Sequence, residues 1–463
     1  MEKQKRLVVL GGGESGIGAA VLGKVKGMDV FLSDSGKILP RYLEALERYK
    51  IPYEQGQHTP ELILNADEVV KSPGVPPTAP MVKELVARGI PVISEIELAG
   101  RYSDAKMVCI TGSNGKTTTT MLIYHILREA GINVGLAGNV GRSLAWQVAE
   151  DHHDVYVVEL SSFQLENMYD FRANVAVLMN ITPDHLDRYE YKMQNYVNAK
   201  FRILRNLTPS DAFIFWEEDP VITEQLRHIT TEARLFPFAE HRQANSAAWL
   251  DADTDLLHLD TPETSLEMPR AQLALKGVHN LLNSMAAGLS ACLLDIRKED
   301  IRRALSDFEG VEHRLEHVET ISGARWVNDS KATNVNSCWY ALESMKPGKN
   351  TILILGGKDK GNDYNEILPL VRERVKAVVA MGKDNAKIVE FFTAAGEKVV
   401  DTHSLSACVA ACRELAKEGD TVLLSPCCAS FDLFQSYEDR GRKFKAAVRE
   451  MKKAELEREL GKL

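Results

Sequence analysis

The run Val108-Cys109-Ile110-Thr111-Gly112-Ser113-Asn114-Gly115-Lys116-Thr117-Thr118-Thr119 carries a short apolar segment into a glycine-spaced turn and then into a helix-forming stretch. Strand, glycine turn and helix in that order make a phosphate cradle. Glycines let backbone N–H groups close on an anion, and the helix N-terminus adds its positive end. Lys116 is placed to reach terminal phosphates and the Thr117 hydroxyl to ligate Mg²⁺, so a nucleoside triphosphate is the expected ligand. The strict pattern has a glycine five residues before Gly115, where this chain has Ile110, so the loop is a shorter variant.

Around this loop the chain alternates between strand and helix patterns. Strands are expected at Lys106 to Thr111, Val155 to Glu159 and Val175 to Asn180, and a helix at Lys116 to Ala130. The turn Lys276-Gly277-Val278-His279-Asn280 leads into an apolar helix from Leu281 to Leu294, and the Asp- and Thr-rich stretch from Ala248 to Glu267 reads as antiparallel strands at the sheet edge. Ligands of open α/β sheets sit beyond the carboxyl ends of the strands. That rule gathers Lys116, Thr117, Glu159 and His185 in one crevice, with Glu159 as a metal candidate. His185 reads as a metal ligand, a general base or a structural histidine. Lys200, taken alone, reads as a helix-surface lysine.

An earlier segment opens with a buried strand Leu7-Val8-Val9-Leu10, the turn Gly11-Gly12-Gly13-Glu14-Ser15-Gly16 and a helix from Ile17, a Rossmann-like start. A second strand from Asp29 ends at Ser33-Asp34, where dinucleotide-binding proteins keep an acid for ribose. A dehydrogenase is therefore an alternative, although Lys71-Ser72-Pro73-Gly74-Val75-Pro76-Pro77 interrupts the pattern and the segment ends near Ile93-Ser94, short of a full dinucleotide fold. A third alternation follows Glu309-Gly310, with strands at Arg325 to Asn328, Thr351 to Leu355, Ala377 to Met381, Val399 to Val400 and Val422 to Leu424. The charged run from Tyr437 to Leu463 reads as a surface helix. The expected organisation is α/β in three domains: residues 1–94 Rossmann-like, 95–310 a central P-loop ATPase-like domain, and 311–463 a C-terminal Rossmann-like domain.

The 463 residues, 44% hydrophobic and 26% charged, have room for roughly three domains at ~150 residues each. A net charge of -9 argues against a general nucleic-acid surface. No apolar run reaches membrane-spanning length, and no targeting segment is evident, so a cytoplasmic protein with neither nucleic-acid nor membrane partners is expected. The cysteines number seven, with no Cys-x-x-Cys pair, and read as reduced core thiols.

Taken together, these motifs resemble the Mur ligases of bacterial peptidoglycan synthesis over the whole chain. Thr111-Gly112-Ser113-Asn114-Gly115-Lys116-Thr117 is shared with the wider superfamily, which includes folylpolyglutamate synthetases. Four stretches are similar to the branch that adds D-glutamate: Glu159-Leu160-Ser161-Ser162-Phe163-Gln164-Leu165, Asn180 through Arg188, Asp329-Ser330-Lys331-Ala332-Thr333-Asn334, and Leu424 through Ser430. The resemblance implies an ATP-dependent ligase that joins D-glutamate to UDP-N-acetylmuramoyl-L-alanine through an acyl phosphate, working as a monomer on small-molecule substrates. It implies that Gly112, Asn114, Gly115, Lys116, Thr117, Thr118, Asn280, Asn283, Arg314, Asp329 and Lys331 bind ATP. Two Mg²⁺ ions would be shared among Thr117, Glu159, His185 and a carbamylated Lys200, with Lys116, His185 and Lys200 counted as catalytic. Ser15, Gly16, Ser35, Ser72, Gly74 and Asn139 match contacts to the UDP-linked substrate, and Thr333, Lys360, Ser430 and Tyr437 match the D-glutamate pocket. Tyr437 stands where the family pattern has a phenylalanine. Gly36 stands where an arginine can contact uracil, and Glu14 replaces a residue that is often apolar. Beside a diphosphate, Glu14 is expected to turn its carboxylate away. Closure of the third domain about Glu309-Gly310-Val311 is expected to assemble the reactants. From the residues alone, a relative that adds another amino acid or glutamate to folate, a nucleotide-dependent switch and a dehydrogenase stay open as alternatives.

Overall fold

The computed structural model describes residues 4–359 and 361–460, so Lys360 lies outside the described residues. Contacts divide the chain into residues 1–308 and 309–463, a boundary that falls beside Glu309-Gly310-Val311.

The first unit holds two sheets. One has five parallel strands in the order Tyr53–Gln55, Asp29–Asp34, Arg6–Leu10, Glu68–Lys71 and Val92–Ile93. Leu7, Val8, Val9 and Leu10 are all fully buried, as the central strand of a parallel sheet covered on both faces must be. The helix Glu14–Val25 starts directly on the glycine turn. This is possible because residue 16 is glycine: a Cβ there would lie 1.8 Å from the Gly11 carbonyl oxygen.

The second sheet has nine strands, ordered Ser265–Pro269, Leu256–Asp260, Ala248–Asp251, Arg234–His241, Ala212–Trp216, Val175–Leu178, Lys106–Thr111, Val155–Glu159 and Val134–Gly138. The pairs Ala248–Asp251 with Leu256–Asp260 and Leu256–Asp260 with Ser265–Pro269 are antiparallel, and the remaining pairs are parallel. Lys106–Thr111 therefore lies between the strands that end at Glu159 and Leu178, which brings three carboxyl ends together.

One apolar core joins the two sheets. Leu7 and Leu22 belong to the same buried cluster as Leu98, Cys109, Leu144 and Tyr156. Gly18 allows the helices Glu14–Val25 and Leu144–Glu150 to touch, since a Cβ at 18 would sit 1.9 Å from Ser143 Oγ. Glu97, fully buried, accepts backbone N–H bonds from Tyr169 (2.9 Å), Asp170 (3.1 Å) and Phe171 (2.9 Å) and pairs with Arg101 at 3.0 Å. It thereby fixes the entry to the strand Val175–Leu178.

The second unit has one six-stranded sheet, ordered Glu316–Ile321, Ala324–Asn328, Thr421–Cys427, Thr351–Gly356, Val375–Met381 and Val399–Thr402, with the first pair antiparallel and the rest parallel. The charged C-terminal helix, Tyr437–Leu460, differs from the surface helix expected from its sequence. Phe444 and Val448 are fully buried in the core with Trp326, and Arg440 is 1% exposed. All seven cysteines are free and buried. No helix among the described residues is long and apolar enough to cross a membrane.

Candidate functional site

The glycine loop adopts the conformation its sequence calls for. Gly112 has φ 144° and Gly115 φ 80°, and Gly115 caps the helix Lys116–Glu129. A Cβ at 115 would also lie 2.5 Å from Asn283 Oδ1. Side chains from the neighbouring strand end clasp the loop from outside. Asn114 N–H donates to Asn180 Oδ1 at 2.8 Å, Asn180 Nδ2 donates back to the Asn114 carbonyl at 3.1 Å, and Ser113 Oγ donates to the Thr182 carbonyl at 2.9 Å. The Lys116 ammonium folds over the loop onto the carbonyls of Gly112 (2.7 Å) and Ser113 (2.8 Å), and Thr117 and Thr118 are buried beneath it.

Lys200 also reaches this loop. Its residue is 2% exposed, its Nζ donates to the Gly112 carbonyl at 2.8 Å, and it lies 4.7 Å from the Tyr196 ring centroid. Burial holds the amine well below the usual lysine range, and the nearby Lys116 charge pushes it the same way, against Asp184 and Glu159. A buried lysine held toward its uncharged form is the reactive form of an amine, which is what carbamylation requires. Glu159, 1% exposed, ends its strand and accepts from Asn139 Nδ2 at 2.8 Å. Just beyond it Ser161 and Gln164 form a capping box that starts the short helix Ser162–Leu165. That turn sets the Phe163 ring 5.1 Å from the ring of His185. His185 is in the left-handed conformation (φ 52°), 3.6 Å from Asp184 Oδ2, and half-buried. Hydroxyl and carboxylate oxygens beside a triphosphate loop suit a hard divalent cation such as Mg²⁺, and Thr117, Glu159 and Asp184 supply them, with His185 as a nitrogen donor.

Asn280 and Asn283 sit in the first turns of the helix Val278–Cys292, linked by Asn283 Nδ2 to Asn280 Oδ1 at 3.2 Å, and Thr119 Oγ1 donates to Asn283 Oδ1 at 3.2 Å. The structure thus brings these two asparagines to the loop helix.

In the five-stranded sheet, Ser15 and Gly16 lie in the first turn of the helix Glu14–Val25, and Ser72 Oγ donates to the Gly11 carbonyl at 3.3 Å. Asp34, followed by Ser35, accepts from Gly12 N–H (2.5 Å) and Gly36 N–H (2.6 Å), so its carboxylate braces the turn. The Glu14 carboxylate accepts from Ser143 N–H at 3.2 Å and the Tyr42 hydroxyl at 3.1 Å.

The second unit carries its own polar cluster. Asp329, buried at the end of Ala324–Asn328, accepts from Ser425 Oγ at 2.8 Å and from Leu315 N–H at 3.3 Å. Burial pushes its carboxyl up to about 7, although Ser425 and Arg314 pull the other way. Arg314 Nε is buried with no hydrogen-bond partner among the described residues. His313 and Leu315 flank it, both at positive φ. Lys331 lies over the Tyr437 ring, 5.4 Å from its centroid. Thr333 donates its N–H to the Lys331 carbonyl at 2.9 Å, and Ser430 is buried at the start of the segment leading to Tyr437.

Sequence reasoning assigned no role to Arg440, whose guanidinium holds the Ser330 carbonyl at 2.8 Å and the Cys428 carbonyl at 3.1 Å. Its only local signal was a position inside a charged helix. Asp184, inside a quoted motif, was likewise unassigned. Among the described residues Glu312, His313 and Glu316 also cluster, but the Lys445 ammonium already sits 2.6 and 2.8 Å from the two carboxylates.

Residues 5–94 match the family described as the Mur ligase MurD-like N-terminal domain, 110–291 the Mur ligase middle domain, and 313–428 the Mur ligase glutamate ligase domain. The chain is 60% identical to the UDP-N-acetylmuramoylalanine--D-glutamate ligase of Bacteroides thetaiotaomicron over 448 residues, 96% of this chain and 100% of that one. It is 56% identical to the protein of the same name from Porphyromonas gingivalis over 445 residues, 96% and 98% of the two chains. Its fold is similar to that of a UDP-N-acetylmuramate-alanine ligase from Thermotoga maritima, with TM-score 0.62 and 18% identity over 97% of this chain and 100% of that one. It is equally similar to a pseudomurein peptide ligase type C from Methanothermus fervidus, with TM-score 0.62 and 19% identity over the same shares.

Proposed function

The chain belongs to the Mur ligase family, and from that premise we propose that it joins D-glutamate to UDP-N-acetylmuramoyl-L-alanine at the expense of ATP, in the cytoplasm, as a step of peptidoglycan precursor synthesis. The observation that carries the reading to a mechanism is the convergence of Lys116 and Lys200 on one carbonyl, that of Gly112, with the charges of Glu159 and Asp184 acting on the same amine. Family membership sets aside the dehydrogenase and the switch.

The alanyl carboxylate of the UDP-linked substrate attacks the γ-phosphorus, ADP leaves, and an acyl phosphate forms. The D-glutamate amine then attacks the acyl carbon, phosphate departs, and the amine proton is released. In this reading Gly115 and the first turn of the helix Lys116–Glu129 supply N–H donors, the Ser113 and Asn114 N–H groups being held by Asn180, and Lys116 leaves its loop carbonyls to neutralise phosphate charge as phosphoryl transfer proceeds. Thr117, Glu159, His185 and a carbamylated Lys200 would hold two Mg²⁺ ions, which offset phosphate charge when bound. Asn280 and Asn283 take the nucleoside, and Arg314, Asp329 and Lys331 are read as ATP contacts from the family resemblance. Ser15, Gly16, Ser35, Ser72, Gly74 and Asn139 take the sugar nucleotide. Thr333, Ser430, Tyr437 and Lys360 receive D-glutamate. A monomer needs no partner protein for this chemistry.

Phosphate release from ATP with Mg²⁺ and UDP-N-acetylmuramoyl-L-alanine tests the reading directly. Release with D-glutamate, and none with L-glutamate, L-alanine, L-lysine or meso-diaminopimelate, is the expected result. Release with a different amino acid would discard the substrate assignment, and no release with any would overturn the reaction.

A further inference from the structure

Behind the Ser72–Val75 turn the first unit packs two cations that the mechanism above does not use. Lys71 closes the strand Glu68–Lys71 with 3% of its surface exposed, and its ammonium donates to the Val75 carbonyl at 2.9 Å and, at 3.5 Å, to that of Ser72. Arg188, from the turn Leu186–Tyr189, donates to the Pro73 carbonyl at 3.0 Å and to Glu166 Oε2 at 3.1 Å. Its guanidinium carbon lies 3.7 Å from the centroid of the Phe163 ring. Glu166 also accepts the Tyr189 hydroxyl at 2.6 Å. Two cations thus face a single carboxylate, and the back of the turn is net positive.

Holding a turn by its carbonyls decides where its N–H groups point. No peptide bond among the described residues is cis, and across a planar trans peptide the C=O and the following N–H are antiparallel. With the Pro73 carbonyl fixed on Arg188, the Gly74 N–H is therefore directed to the opposite side. A Cβ on Gly74 would meet nothing within 4 Å, so a ligand has room to approach that backbone.

We propose that Lys71 and Arg188 are positioning residues for the anionic sugar-nucleotide substrate: they grip the Ser72–Val75 turn by its carbonyls, aim the Gly74 N–H at the substrate's diphosphate and set positive charge behind it. The inference rests on the reading of Ser72 and Gly74 as contacts to that substrate. Neither cation touches the reacting atoms, so the effect belongs in the binding of one substrate and not in turnover.

The test uses the full chain with Lys71→Met, Arg188→Met and Arg188→Lys, titrated by calorimetry with UDP-N-acetylmuramoyl-L-alanine and, separately, with ADP and Mg²⁺. Each Met substitution is expected to weaken sugar-nucleotide binding about tenfold or more and raise its KM to match, leaving kcat, ADP affinity and the KM for D-glutamate within about twofold. Arg188→Lys keeps the charge but loses the planar fork, and should fall between. A second readout is pH. Burial lowers the Lys71 ammonium to about 8; Arg188 pushes it the same way and Glu166 opposes it. The sugar-nucleotide KM of the unsubstituted chain should therefore rise above pH 8 relative to that of Lys71→Met. Should Lys71→Met fail to fold, Lys71→Arg, charged to far higher pH, should remove that rise. Unchanged sugar-nucleotide affinity in both Met variants, or equal losses for ADP, would overturn the inference. An unsubstituted chain that binds no UDP-N-acetylmuramoyl-L-alanine would overturn the underlying functional reading as well.

Discussion

Replacing Lys200 by methionine should damage catalysis and leave stability intact or improved, two effects of opposite sign from one side chain. The buried amine gives the folded state one hydrogen bond to the Gly112 carbonyl and a cation–π contact with Tyr196. For an amine held toward its uncharged form the hydrogen bond contributes about 0.5–1.5 kcal/mol and the ring contact little more than its packing. Against them stands the burial of a polar amine that is 2% exposed beside Lys116, a cost of about 1–3 kcal/mol for a group held toward its uncharged form. Methionine keeps the length and apolar stem and removes that cost, so the melting temperature should stay within about 3 °C of the parent or rise. Turnover should fall by roughly 10²–10³-fold, the usual loss when a positioned electrostatic group is deleted from a reaction centre. Phosphate release and a thermal melt on the same sample separate the two quantities. Alanine adds a control: it opens a cavity on the order of 100 Å³, worth about 2.4 kcal/mol, into which a short carboxylic acid fits. Acetate or formate should restore part of the Ala variant's turnover, and bicarbonate should not, because no amine remains to be carbamylated. Turnover within threefold of the parent in the Met variant would remove Lys200 from the reaction. A melt lowered by ten degrees or more with proportionate activity loss would reassign it to the fold.

Three further outcomes follow from buried groups and close approaches. Glu97→Ala strands three backbone N–H groups and Arg101, and should cost about 3–5 kcal/mol by urea denaturation, whereas Glu97→Gln, which keeps an acceptor, should cost less than half of that; equal costs would refute the hydrogen-bond account. Gly115→Ala forces φ 80° on a residue with a side chain and pushes a methyl to 2.5 Å from Asn283 Oδ1, so ATP affinity should drop at least tenfold, and retained affinity would show that the loop adapts. Glu95, fully buried, has its carboxyl pushed up to about 7 from 4.5 by desolvation, so between those pH values the folded chain holds a proton the unfolded chain has released. Stability falls as pH rises through that window, and Glu95→Gln should gain on the parent by up to about 3 kcal/mol between pH 4.5 and 7; a pH-independent difference would refute the assignment.

Local patterns in the sequence carried the phosphate loop, the buried strand before it and the strand ending at Glu159, because each is a contiguous run whose conformation its own residues dictate. Strands such as Tyr53–Gln55 and Glu68–Lys71 were not evident: they are short and charged, and their partners come from elsewhere in the chain, while Glu316–Ile321, which hairpins with Ala324–Asn328, is too polar to read as a strand. Arg234–His241 contains Pro237, which argues locally against a strand. Lys200 reads as a surface lysine in its own helix but is buried, its ammonium against the Gly112 carbonyl, 88 residues away in the sequence, and the Tyr196 ring one turn earlier on that helix. Arg440 and Arg188 are similar cases. Each is a charged residue in a polar run that reaches a carbonyl the sequence puts over a hundred residues away, Ser330 for Arg440 and Pro73 for Arg188.

The burial of every cysteine gives the chain an internal reporter. A thiol-specific alkylating reagent meets no accessible sulfur in the native state, so each modification records an opening event. Cys109 and Cys292 belong to the first unit, and Cys338, Cys408, Cys412, Cys427 and Cys428 to the second, so peptide mapping of the alkylated sites resolves the breathing of each unit without any introduced probe. Cys109 lies in the strand that feeds the phosphate loop. Its protection on adding nucleotide measures, in a single labelling rate, how much of the ligand's binding energy reaches the strand beneath it.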